Sequence, residues 1–103
     1  MFKITPKATF TAEVALSVPG ETKLAAITVE FRHLSKSAIR EFFESLDGKS
    51  DAEALGAIVT GWEGVDAPFS PEVLATLLDN YPAAAGELFE AFRRELLEAR
   101  IKN

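Results

Sequence analysis

The chain has no cysteine, so it has no disulfide framework, thiolate nucleophile or cysteine metal ligand. No uninterrupted apolar run approaches the ~18 residues of a membrane span. The opening Met-Phe-Lys-Ile-Thr-Pro-Lys lacks the apolar stretch of a secretory signal. Cationic residues are missing over a long interval: no lysine or arginine lies between Lys49 and Arg93. Residues 1–51 carry seven acids and seven bases, residues 52–103 nine acids and four bases, so the second half supplies the whole net charge of −5. A surface for DNA or RNA must bring cations to phosphates. Nucleic acid and membrane are therefore excluded as expected partners, and a reducing cytoplasm fits the composition. An acidic middle suits either a basic protein partner or simple solvation.

Reaction chemistry is equally thin. His33 is the single histidine, with no positioned acid–base partner or nucleophile readable around it. Asp47, Asp51 and Glu53 fall within seven residues but lack the register of a calcium loop, and Lys49 stands among them. Glu63 and Asp66 are two acids without the rest of a coordination sphere. No phosphate-cradling G-x-x-x-x-G-K-[ST] or G-x-G-x-x-G occurs, and Gly61-Trp-Glu-Gly64 is too short to stand for one. The expectation is a non-enzyme with no metal and no cofactor.

What is present is a fold outline for one domain over residues 1–103. Phe10, Ala12, Val14 and Leu16 alternate with Thr11, Glu13 and Ala15, and Ala25, Ile27, Val29 and Phe31 alternate with Thr28, Glu30 and Arg32. This is the two-residue period of strands with one oily face. Val18-Pro-Gly20 marks a turn between them. Phe2 and Ile4 either add a third short strand or do not. From Ser35 the period becomes helical: Ile39, Phe42, Phe43 and Leu46, then Leu55, Ile58, Val59 and Trp62 after a Ser50…Glu53 capping box. This predicts a second helix that Gly61 and Gly64 stop, with Trp62 on the buried side of its last turn. Ser70-Pro71-Glu72 starts a third helix, with Phe69 and Leu74 at hydrophobic-staple spacing and Leu74, Leu77, Leu78 and Tyr81 as its stripe. Pro82 breaks it and opens a fourth, to about Ile101, with Ala85, Leu88, Phe89, Phe92 and Leu96 inward. Glu90–Arg94 and Glu98–Lys102 are placed for i, i+4 pairing there. The predicted class is α+β: a β-hairpin region over 1–33, and a helical region over 34–103 with about four helices packed as a small bundle.

Two features point to binding. A two-stranded hairpin leaves both edges unpaired, which either stay wet or accept a strand from another copy or a partner. The terminal amphipathic helix either closes the core or lies in another subunit's groove.

Gly61-Trp-Glu-Gly-Val-Asp66, then Phe69-Ser70 and Leu77-Leu78-Asp-Asn-Tyr-Pro82, resemble the tail assembly chaperones of long-tailed bacteriophages. Pro6-Lys-Ala-Thr-Phe-Thr-Ala-Glu-Val14, Val18-Pro-Gly20 and Ala99-Arg-Ile-Lys-Asn103 extend the resemblance over nearly the whole chain. The resemblance implies a non-catalytic protein of the host bacterium's cytoplasm that coats the tape measure protein, recruits tail tube subunits and leaves before the virion matures. It also implies a longer frameshifted form with slippage near Lys102-Asn103, while self-association is the expectation from the unpaired hairpin edges and the terminal helix. The signature loop maps onto Gly61, Trp62, Gly64, Val65 and Asp66. The expected partner-binding residues are Trp62, Val65, Asp66, Phe69, Tyr81, Phe89 and Phe92. The competing expectation is a structural tube or completion component retained in the virion.

Overall fold

The alternation over residues 9–32 folds into an antiparallel hairpin with the register it implies. The computed structural model describes residues 1–98. Strand β1 (Thr9–Leu16) pairs with β2 (Ala25–Arg32), Phe10 opposite Phe31 and Val14 opposite Ile27. Ala12, Val14, Leu16, Ile27, Val29 and Phe31 are all buried, while Thr11, Glu13, Ala15 and Ala26 face outward on the other side. Gly20 takes the left-handed φ of 84° at the turn. Phe2 and Ile4 form no strand and are almost fully exposed.

Capping signals set the helix starts. Ser35 accepts a hydrogen bond from the Ala38 N–H and begins α1 (Lys36–Glu44). Ser50 and Glu53 form the reciprocal capping box of α2 (Asp51–Gly56). Ser70 accepts from the Val73 N–H with Pro71 at the first helical position of α3 (Pro71–Asn80). Tyr81 is pushed to extended φ, ψ by the following Pro82, which ends α3. Helix α4 (Ala84–Arg93) then leads into a π-helical turn at Arg94–Glu98.

The second predicted helix is where the structure departs from the expectation. Helix α2 stops at Gly56, and Val59–Glu63 form a strand, β3, antiparallel to β2. The sheet among the described residues is three-stranded, in order β1-β2-β3. The strands are therefore not confined to an N-terminal hairpin. Trp62 belongs to β3 and is half-buried, and Gly61 pairs with Glu30 within the sheet rather than ending a helix. The reason is a β-bulge. Glu30 pairs with Gly61 and Phe31 with Val59, so Thr60 is the extra residue. The bulge puts Val59 and Trp62 on the same sheet face although they are three residues apart, and that spacing mimics a helical stripe.

The helices do not form a free-standing bundle. They pack against the sheet's oily face, α4 on β1 and α2 on β3, with α2, α3 and α4 touching one another. Phe31 and Phe92 meet at the centre, ring centroids 5.4 Å apart, with Phe10 at 6.0 Å from Phe92. Leu88, Ala91 and Phe92 of α4 are buried, so this helix closes the core. Arg93, not Arg94, pairs with Glu90 at 2.9 Å, and Arg93 also bonds Glu98. Residues 99–103, which include Lys102 and the last predicted helical residues, lie outside the described residues.

Candidate functional site

Three separate pieces of chain converge on one apolar groove of about 570 Å3. The hairpin's turn end contributes Leu16, Val18, Ala25 and Ile27, the loop after β3 contributes Gly64 to Ala67, and α3 contributes Val73, Thr76, Leu77, Asn80 and Tyr81. Asp66 is the one carboxylate in the lining, which holds no lysine or arginine. The groove thus suits an apolar side chain accompanied by a cationic or hydrogen-bond-donating neighbour.

Trp62 builds the loop wall. Its indole N–H donates to the Ala67 carbonyl at 2.9 Å. Its ring meets Phe69 edge-to-face, with centroids 5.1 Å apart and planes at 89°, a geometry favoured by the ring quadrupoles. The bond spans five residues and closes the loop from Glu63 to Ala67. Gly64 permits the bend with φ of 89°. A Cβ there would sit 3.6 Å from the Ile27 Cα, so space is sufficient and backbone conformation is what requires glycine. Gly61 has no such requirement.

The expected partner-binding residues separate into three groups. Val65, Asp66 and Tyr81 line the groove, with Tyr81 37% exposed at the end of α3. Trp62 and Phe69 shape the loop from behind. Phe89 is half-buried on α4, and Phe92, 1% exposed, is central core out of a partner's reach. The hairpin's contribution was not foreseen. Leu16 and Ile27 read as core from alternation, and nothing in a linear pattern says that their edge lines a groove against a loop thirty-seven or more residues later.

Among the described residues no polar or charged residue is buried, and no group of three or more His, Asp and Glu side chains is placed to hold a metal ion. Asp66 is exposed. Glu63 points to the sheet's outer face with Glu30 and Thr28 rather than into the groove, and His33 at the end of β2 lines neither place. No helix among the described residues is long and apolar enough to cross a membrane.

A family model described as phage tail assembly chaperone matches residues 1–103, the whole chain, and the chain belongs to that family. No curated protein and no solved structure matches it.

Proposed function

We propose that, as a tail assembly chaperone, this protein uses the groove between the hairpin end, the Gly64–Ala67 loop and α3 to hold apolar side chains of the tape measure protein. The observation that carries the reading is that part of the signature loop, Gly64, Val65 and Asp66, forms a wall of the apolar groove. Helical clients are commonly held by an apolar groove taking side chains spaced one turn apart. A long client also needs many weak sites rather than one deep pocket, because linked sites multiply affinity. The role is non-catalytic, as family membership implies. Recruitment of tail tube subunits, action in the host cytoplasm and departure before the virion matures complete the reading.

Self-association belongs to it as well. The stripe of α4 is spent in the core, and the outer edge of β2 is covered by β3. Exposed apolar side chains include Phe43 on α1, a helix with no buried residue, and Phe2, Ile4 and Leu24.

The test is light scattering and fluorescence anisotropy with a labelled helical fragment of the tape measure protein, over a wide protein concentration range. Wild-type protein should bind, and Tyr81→Asp should weaken binding at least tenfold with an unchanged melting profile. A protein that stays monomeric and never binds the fragment removes the proposal. Stoichiometric amounts in purified virions by mass spectrometry would instead favour a retained structural component.

A further inference from the structure

The outer edge of β1 carries a row of backbone groups that the sheet does not use. The ladder's phase is set by two bonds: the His33 N–H donates to the Ala8 carbonyl at 2.9 Å, and the Arg32 N–H turns the other way, to the Ile58 carbonyl at 2.8 Å. Antiparallel pairs alternate between bonded and non-bonded. With Thr9 opposite Arg32 and Phe10 opposite Phe31, residues 10, 12, 14 and 16 bond to β2. Thr9, Thr11, Glu13 and Ala15 therefore direct their N–H and C=O groups away from the sheet. Ser17 is next in that series, and its N–H is already taken by the Glu87 carboxylate at 3.0 and 3.2 Å. The fold thus satisfies the end of this edge with a side chain and leaves the row before it open.

The two edges of the sheet are treated differently. Strand β3 is five residues long and bulged, both devices that discourage added strands. Strand β1 runs eight residues with no proline, no lysine and no bulge. Beside it lies a second groove of about 450 Å3, lined by Glu13 and Ala15 of β1 and by Ala83, Gly86, Glu90 and Arg94 from α4 and its flanks. A Cβ on Gly86 would meet nothing within 4 Å, so the helix side leaves room for an incoming side chain.

We infer that the β1 edge is a strand-addition site for an extended, basic segment of another protein. Backbone pairing with Thr9, Thr11, Glu13 and Ala15 supplies register, and the groove accepts alternate side chains. The sign of the partner follows from the walls. Glu13, Glu87 and Glu90 line the groove against Arg94 alone, and Arg93 is shared between Glu90 and Glu98. A second copy pairing β1 with β1 about a twofold axis would bring Glu13 toward its own image, and like charges across a strand pair are destabilising. A lysine- or arginine-bearing strand meets them with opposite charge. This site is separate from the loop groove and stands or falls independently of it.

The probe is a labelled nine-residue peptide of alternating lysine and valine, followed by fluorescence anisotropy with the full chain. Wild-type protein and Tyr81→Asp should bind it equally, and N-methylation of alternate peptide residues should weaken binding at least tenfold. Glu13→Pro removes an outward N–H while sparing every β1–β2 bond, the position where an edge strand tolerates proline; it should weaken binding at least tenfold. Glu13→Lys should weaken it about fivefold and flatten its salt dependence, and it carries the test if the proline variant does not fold. The inference is overturned if the peptide does not bind, or if it binds the N-methylated form as well. It is equally overturned if light scattering shows a wild-type dimer that Glu13→Pro dissolves, since the edge then belongs to a second copy.

Discussion

Val59 and Trp62 stand three residues apart on β3, yet both lie opposite core residues of β2, Phe31 and Val29 respectively. A regular strand would send one of them to each face. Thr60, the extra residue, makes the difference and is itself held to the outer face by its hydroxyl, which donates to the Glu30 carboxylate at 2.7 Å. Deleting Thr60 would leave Val59 and Trp62 two residues apart, so strict alternation should keep both on the core face. The expected loss is about 0.5–1.5 kcal/mol, the value of the Thr60–Glu30 hydrogen bond, read from urea unfolding. A further loss of about 1.5–3 kcal/mol, the value of exposing one large apolar side chain, would mean that Thr60 is not the residue the bulge absorbs.

The bulge also explains what could and could not be read from the residues. Strands β1 and β2 were legible because their alternation is uninterrupted, and α1, α2 and α3 began where Ser35, Ser50 and Ser70 cap them. Leu55, Ile58, Val59 and Trp62 fit a helical stripe because an α2 turn followed by a bulged strand reproduces the i, i+3, i+4, i+7 spacing. Only the β-branched run Ile58-Val-Thr60 argued otherwise. Of the stretch Gly61–Asp66, Gly61 to Glu63 belong to β3 rather than to a helix end, and the chain bends at Gly64. The groove was invisible because Leu16, Val18 and Ile27 reach it only through tertiary packing.

Trp62 is half-buried, so truncation should cost less than the ~3–5 kcal/mol of a fully buried aromatic. About 2–3 kcal/mol is expected for Trp62→Ala. Trp62→Phe keeps the ring against Phe69 and loses the bond to Ala67, which should cost about 1 kcal/mol and speed amide exchange in residues 64–67. A Trp62→Phe variant with unchanged loop exchange would show that the indole N–H does not hold the loop.

The two glycines of Gly61-Trp-Glu-Gly64 should behave differently. Gly64 sits at φ 89°, so Gly64→Ala should lose about 1–2 kcal/mol and weaken client binding through the distorted groove wall. At Gly61 a Cβ would meet the Glu30 side chain at 3.7 Å, an ordinary contact, with φ in the usual range. Gly61→Ala should unfold within about 1 kcal/mol of wild type. Equal effects from the two substitutions would contradict the assignment of the left-handed residue as the critical one.

The α2 capping box gives a pH signature. The Ser50 backbone N–H, and after it the Ser50 hydroxyl, hold the Glu53 carboxyl below its ordinary range. A carboxyl lowered in the folded state contributes fully above its unfolded pKa, and that contribution is lost as pH falls through the lowered folded value. An NMR titration should therefore find Glu53 below the ~4.3 of an unperturbed glutamate. Ser50→Ala removes the hydroxyl's share and should move Glu53 part of the way back. No movement would mean that the hydroxyl plays no part in holding the carboxylate.

Glu87 joins parts of the chain seventy residues apart, its carboxylate accepting both the N–H and the hydroxyl of Ser17. The tether fixes the start of α4 to the last residues of β1, and so holds the helix over the strand whose core face it covers. Bonds to a charged acceptor are stronger than neutral ones, about 1.5–3 kcal/mol, and partial exposure here favours the lower end. Glu87→Ala should cost about 1.5 kcal/mol, and Glu87→Gln, which keeps an acceptor oxygen, about half as much. Hydrogen exchange supplies the local reading: the Ser17 amide should lose protection strongly in Glu87→Ala and only partly in Glu87→Gln. If Ser17 stays protected in the alanine variant, some other group satisfies that amide and α4 is held to the sheet by apolar packing alone.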